Sequence, residues 1–183
     1  MVADATADLD VSVLINNVGM MREGMSVHEQ DQNEIMAMIN VNVITQTMLT
    51  KKFADRLYNR KKRSAIIDLS SMAGHGPTPK VNMYASTKKY NFNFSLSVGE
   101  DLKEKVDVLT VCPGLVKTPM TVNFWNEPGI VAPEACTKGA LKSLGHERWT
   151  FGAAVHGMIY PFLSMPYDWS FKARENFEAK KNS

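Results

Sequence analysis

Tyr84 and Lys88, in the run Tyr84-Ala-Ser-Thr-Lys88, stand four residues apart. On a helix that spacing puts both side chains on one face, one turn from each other. A free phenol titrates at about pH 10, and a neighbouring cation favours its ionised form, which draws a tyrosine toward general acid/base work at neutral pH. The same spacing arises by chance on many helices, so its weight comes from its surroundings. Thirteen residues upstream of the tyrosine, Ser71 ends an apolar run. A hydroxyl there can bond the carbonyl oxygen that Tyr84 would protonate. Together the three groups describe proton transfer at a carbonyl or alcohol oxygen.

Such groups need a scaffold, and the flanking sequence describes one. Residues 11–15 form a short apolar run with β-branched members, ended by Asn16-Asn17-Val18-Gly19. Residues 65–69 have the same character and end at Ser70-Ser71, and residues 106–111 end at Cys112-Pro113-Gly114. Each reads as a strand followed by a turn. Between them, Ile44, Met48, Phe53 and Leu57 recur at helical spacing, as do apolar residues over 84–102. Alternating apolar strands and helices predict an α/β fold, a Rossmann-like parallel sheet with helices on both faces. Ligands of open α/β sheets bind beyond the strand C-termini, which is where the three turns converge. Residues 114–131 are too irregular for a strand and suit a substrate-covering loop. Residues 133–144 open with Pro and an acid and stop before Gly145, the punctuation of a helix. Residues 151–155 are predicted as a last short strand. The stretch 160–171, which mixes aromatics, Met and two prolines, suits packing, with a substrate-facing surface as the alternative.

Composition narrows the class. With 44% hydrophobic and 22% charged residues, the chain resembles an ordinary globular domain. Its net charge of +2 is too small for a nucleic-acid surface. Cys112 and Cys136 lack any metal-like spacing, so neither a metal site nor a disulfide framework is expected, and a reducing compartment fits. Cys112, beside Pro113 at a strand end, is expected to be buried rather than reactive. His28, His75, His146 and His156 show no ligand spacing and receive no role, although His75 follows Ser71 closely enough to approach a substrate. The twelve methionines read as core and gap-filling residues. Arg60-Lys-Lys-Arg63 reads as a solvated C-terminal helix turn. No apolar run reaches transmembrane length, and residues 1–10 are unlike a signal.

In order and spacing, Asn16-Asn17-Val18-Gly19, Ser71, Tyr84 with Lys88, and Pro113-Gly114 resemble the classical short-chain dehydrogenase/reductase family. The resemblance implies a nicotinamide-dependent oxidoreductase. It implies Tyr84 as general acid/base, Lys88 lowering its pKa and binding the nicotinamide ribose, Ser71 orienting the carbonyl, and Asn42, within Ile39-Asn-Val-Asn-Val43, supporting a water-linked proton relay. Asn40 is the other candidate for that last place. It further implies that Asn16 and Gly19 line the cofactor cleft and that Pro113, Gly114, Val116 and Thr118 meet the nicotinamide carboxamide. The run Asn16-Asn-Val-Gly-Met20, the Ile-Asn-Val-Asn-Val stretch and Pro77-Thr-Pro79 look like the branch of 17β-hydroxysteroid dehydrogenases and very-long-chain 3-oxoacyl-CoA reductases. That branch implies a lipid or steroid carbonyl substrate, NADPH with NADH as the alternative, and a homodimer. It also implies the cytosolic face of the endoplasmic reticulum membrane, with a cytoplasmic location as the alternative. Lys180-Lys181 near the C-terminus resembles a retrieval signal, and equally an ordinary solvated tail.

The family's glycine-rich turn, which seats the pyrophosphate on a helix N-terminus, has no counterpart in these 183 residues. Residues 1–183 therefore read as the C-terminal catalytic part of a single NAD(P)-binding Rossmann-type domain, with about four strands and the N-terminal half absent. Residues 11–15 would then lie as an uncovered apolar edge. Two expectations follow. Either the chain derives from a working reductase whose upstream half is not in this sequence, with membrane association through that part, or it is a non-catalytic paralogue that serves as a dimerisation partner through the helices around 44–58 and 84–102.

Overall fold

The computed structural model describes residues 2–22 and 25–163. Four parallel strands form one sheet in the order β1-β2-β3-β4: β1 Val13–Asn16, β2 Ser64–Leu69, β3 Val106–Val111 and β4 Trp149–Thr150. β2 is buried almost end to end, as expected of an inner parallel strand. On one face lie helices α3, Thr45–Tyr58, and α4, Asn82–Leu102. There Phe53 and Leu57 pack with Ile66 and Val106. On the other face α5, Pro133–Ser143, brings Ala140 against Ile67, Leu109 and Val111. The expected α/β sandwich with helices on both faces is the observed one.

Register aligns side chains across the sheet. Asn16 pairs with Asp68, and Asp68 with Thr110, so a polar row crosses the strand C-termini on the α3/α4 face. One step back, Leu14, Ile66 and Val108 form the apolar row beneath it. The site is thus a polar layer on an apolar floor.

A short α1, Val2–Ala5, precedes β1. Helix α2, Gln32–Ile39, starts at Asp31, whose carboxylate accepts from the amides of Asn33 and Glu34 at 2.8 and 3.2 Å. It runs into α3 through one π turn, Asn40–Ile44. Such turns are uncommon inside helices and often sit at functional positions. Arg60 and Arg63, read from sequence as a solvated cluster, hold the far end of the sheet through Asp10 and Asp107.

Two predicted boundaries shift. The first strand starts two residues later, at Val13. The strand predicted at 151–155 is displaced: β4 is Trp149–Thr150, and α6, Ala154–Leu163, begins where that strand was to end. Gly152 is the cause. It adopts φ +75°, and an added Cβ would lie 2.7 Å from Cys136 Sγ. Its carbonyl also presses so closely on Gly139 that no Cβ fits there, so the chain turns away from the sheet at Gly152. The covering segment 114–131 carries a 3-10 turn, Pro119–Phe124, and is closed by a parallel bridge between Val116 and Val131. Of the stretch 160–171, Tyr160 packs on His75 and Phe151; its residues from 164 on, and Lys180-Lys181, lie outside the described residues.

Candidate active site

Ser71 leaves β2 in extended conformation and caps the 3-10 turn Met72–His75, accepting from the amide of Ala73 at 3.2 Å. The loop then drops onto α4 at Gly74, where a Cβ would come within 2.8 Å of the Lys88 and Lys89 backbone. That close approach puts Ser71 beside the first turn of α4, where its hydroxyl draws the Tyr84 phenol pKa down. One turn on, Lys88 is 4% exposed, a depth a lysine takes only with a partner. Its ammonium donates to the Leu69 carbonyl at 2.7 Å and lies 5.7 Å from the Tyr84 ring centroid. The Ser70 hydroxyl donates to the Lys88 carbonyl at 2.6 Å, fixing helix to strand.

The electrostatics differ from the simple expectation. Burial pushes the Tyr84 phenol above the ordinary tyrosine value, and the Ser71 hydrogen bond only partly offsets it. Lys88, whose ammonium lies 5.7 Å from the ring centroid, does not reverse this. Burial also brings Lys88 down to about 8, against the opposing pull of Cys112 and Asp68. Tyr84 is therefore a protonated phenol at neutral pH.

Asn42 sits in the π turn, fully buried. Its Oδ1 accepts from the Met20 amide at 2.8 Å, and its Nδ2 donates to the Met20 carbonyl at 2.9 Å and to Thr87 Oγ1 at 3.0 Å. Thr87 in turn donates to the Tyr84 carbonyl at 2.7 Å. One amide thus ties the turn after β1 to the helix that bears Tyr84. Gly19 lies in the same cluster: an added Cβ would lie 3.4 Å from Lys88 Nζ and 3.5 Å from Asn42 Oδ1. Asn16 behaves differently. Its side chain turns inward and donates to Asp68 Oδ1 at 2.7 Å and to Thr50 Oγ1 at 3.0 Å, away from any cleft.

From the β3 side, the Pro113 carbonyl accepts from the Met72 amide at 3.0 Å, joining this turn to the loop of Ser71. Val116 lies in the bridge to Val131, and Thr118 caps the following turn, its amide donating to Thr121 Oγ1 at 3.2 Å. Gly19, Asn42, Ser71, Tyr84, Lys88 and the 113–114 turn are brought together; Val116 and Thr118 continue outward from it. Cys112 is buried and its thiol is pushed up to about 12 by that burial, so it is unreactive at neutral pH. His75 is drawn into an aromatic cluster with Phe92, Trp149, Phe151 and Tyr160, with its pKa lowered by burial and by Lys89. Among the described residues no His, Cys, Asp and Glu side chains gather into a metal site.

Two residues were missed from sequence. Asp68 is fully buried under the site with its pKa raised by burial, and a carboxylate inside the apolar run Ala65-Ile-Ile-Asp-Leu69 was the available signal. His156, 1% exposed, packs against Gly114, and nothing in its spacing announced it.

The chain is similar to known proteins in sequence and in fold. Residues 1–129 match the family model described as short chain dehydrogenase. A very-long-chain 3-oxoacyl-CoA reductase of Bos taurus is 32% identical over 161 residues, covering 84% of this chain and 50% of the relative. The human 17-beta-hydroxysteroid dehydrogenase type 3 is 26% identical over 172 residues, covering 93% of this chain and 55% of the relative. The chain spans about half the length of the curated relatives it matches. Among solved structures, a short chain dehydrogenase from Burkholderia cenocepacia in complex with NADP superposes with a TM-score of 0.80 at 23% identity, covering 94% of this chain and 74% of that one.

Proposed function

The chain belongs to the short-chain dehydrogenase family, and from that premise we propose that it is the proton-handling part of an NADPH-dependent reductase that converts a ketone to a hydroxyl, on a 3-oxoacyl-CoA or a steroid. The observation that carries the reading is the convergence of Ser71, Tyr84, Lys88 and Asn42 at the C-terminal ends of parallel strands. The carbonyl oxygen of the substrate lies between the Ser71 and Tyr84 hydroxyls. Ser71 donates a hydrogen bond to it and polarises the bond. Tyr84 gives that oxygen its proton, and the raised phenol pKa keeps the proton in place until the oxygen becomes basic. Lys88 then stabilises the phenolate from one helical turn away. Asn42 keeps the turn after β1 against the helix that carries both.

The chain's residues fit the nicotinamide half of the cofactor. Gly19 leaves the approach to Lys88 Nζ free of any side chain, and Gly114 has no room for one. Lys88 and Tyr84 would hold the nicotinamide ribose, Gly19 and the backbone of Asn16 would line the cleft, and Pro113, Gly114, Val116 and Thr118 would receive the carboxamide. When bound, the reduced nicotinamide supplies the hydride that reduces the carbonyl carbon. The exposed Met120, Val122 and Trp125 on the covering segment suit an apolar substrate body. Exposed Ile44 at the end of the π turn and Met48 in the first turn of α3, with Tyr90 on α4 bonded to Thr47 at 2.9 Å, give a face for a second copy of the chain. The reductase likeness supports action at the cytosolic face of the endoplasmic reticulum; among the described residues no helix is long and apolar enough to cross a membrane.

The test is NADPH oxidation by the protein purified from its natural source, with a long-chain 3-oxoacyl-CoA and a 17-ketosteroid in parallel. Ketone-dependent oxidation with either supports the reading and identifies the class. No oxidation with either, in protein shown to bind NADPH, overturns it.

A further inference from the structure

His156 sits on the first turn of α6 with its imidazole against the turn that follows β3, and both ring nitrogens face backbone. The Gly114 amide lies 3.2 Å from Nδ1, the Leu115 carbonyl 3.2 Å from Nε2, and the Phe151 carbonyl 3.4 Å from Nδ1. An amide N–H only donates and a carbonyl only accepts, so these contacts discriminate among the ring's states. With the hydrogen on Nε2, Nδ1 accepts from Gly114 and Nε2 donates to Leu115, and both short contacts are satisfied. With the hydrogen on Nδ1, only the longer Phe151 contact is served; Gly114 loses its acceptor, and two lone pairs meet between Nε2 and Leu115. A doubly protonated ring leaves the Gly114 amide without a partner as well. The hydrogen-bond network therefore assigns the neutral, Nε2-protonated ring.

The fit around the ring is close. A Cβ on Gly114 would lie 2.9 Å from His156 Cδ2 and 2.9 Å from Met72 Sδ, so only glycine lets the imidazole reach the backbone. Leu115 also accepts from the Val131 amide at 3.1 Å, and Pro113 from Met72. The turn at 113–115 is thus gripped by α6, by the end of the covering segment, and by the loop that carries Ser71.

We propose that His156 is a positioning residue of this site: through its Nε2-protonated ring it fixes the Gly114–Leu115 backbone, and with it the segment that is to receive the nicotinamide carboxamide. The role toward the cofactor rests on the function proposed above; the clamp itself rests on the geometry. His156 touches neither substrate nor reacting atoms and acts through the turn it holds.

Two variants test it. His156→Phe keeps a ring and removes both hydrogen bonds, whereas His156→Gln offers an amide oxygen to Gly114 and an amide N–H to Leu115. On the 183-residue chain, nitrogen NMR of the wild-type ring should show Nδ1 bare and Nε2 protonated, a reading that needs no variant to fold. Exchange of the Gly114 amide should quicken about tenfold or more in His156→Phe and return toward wild type in His156→Gln, the loss of one buried hydrogen bond. Amides of β2 and β3 should not change. On the protein from its natural source, the NADPH dissociation constant should rise about tenfold in His156→Phe and recover in His156→Gln. An Nδ1-protonated ring, unchanged Gly114 exchange in His156→Phe, or equal NADPH affinity in all three proteins would overturn the proposal. Failure of the wild type itself to bind NADPH would sink the proposed function and the role toward the cofactor with it, while ring state and Gly114 exchange would still decide the clamp.

Discussion

The turns after β1 and β3 approach the same site but are held in contrasting ways. The β3 turn is fastened by Met72, His156 and Val131 from three directions. The β1 turn is fastened at Met20 by the single side chain of Asn42, and the strand behind it leaves Val13 and Ile15 exposed, at 43% and 57%. The contrast separates two tasks. Ser71, Tyr84 and Lys88, the groups proposed to handle the proton, are held together by contacts among the described residues. The β1 side instead displays apolar surface at a sheet edge, which natural proteins cover or charge.

The sharpest stability contrast is between two isoleucines of neighbouring strands. Ile66→Ala, in the fully buried core, should cost about 2–5 kcal/mol in denaturant unfolding. Ile15→Ala on the exposed side of β1 should cost under about 0.5 kcal/mol in this chain. A comparable loss at both positions would break the contrast and show that the β1 side is packed in solution.

A smaller effect is expected at the Asn42 fastening of the β1 turn. Asn42→Ala removes an acceptor for the Met20 amide and donors to the Met20 carbonyl and Thr87, and should cost about 1–3 kcal/mol. Hydrogen exchange should quicken at the Met20 amide and stay unchanged at Gly114. Equal loosening of both turns would mean that they are coupled rather than separately held.

The smallest effect is in the pH dependence. Lys88 titrates at about 8 in the fold and at about 10.4 when unfolded. Between those values the unfolded chain binds more protons, so this group makes stability rise with pH. Cys112, pushed up to about 12, works in the opposite direction above its unfolded value of about 8.5. The Lys88 contribution is therefore read as a difference: between pH 8 and 10 the stability of Lys88→Met should fall relative to that of wild type, in which the rise from Lys88 offsets the fall from Cys112. Parallel stability profiles for the two proteins would contradict the placement of a desolvated lysine under Tyr84.

Much of this architecture was legible in the sequence because strand and helix periods are written in apolar residues, and because turn residues mark where strands end. Ser71, Tyr84 and Lys88 could be placed from spacing and resemblance for the same reason. What could not be read depends on tertiary approach. The displacement of the last strand follows from the contact of Gly152 with Gly139 and Cys136, residues distant in sequence. The inward turn of Asn16 follows from a cross-strand register that brings Asp68 beside it. The raised phenol pKa reflects burial, which a Tyr-x-x-x-Lys spacing does not contain.

The central claim is that Tyr84 delivers the proton in an NADPH-dependent ketone reduction. Its most direct test compares wild type with Tyr84→Phe in the protein from its natural source, measuring single-turnover reduction of the ketone beside the NADPH dissociation constant. Reduction should slow by about 100-fold or more, the usual contribution of a positioned general acid, while NADPH affinity stays within about twofold. Reduction at the wild-type rate by Tyr84→Phe would contradict the account.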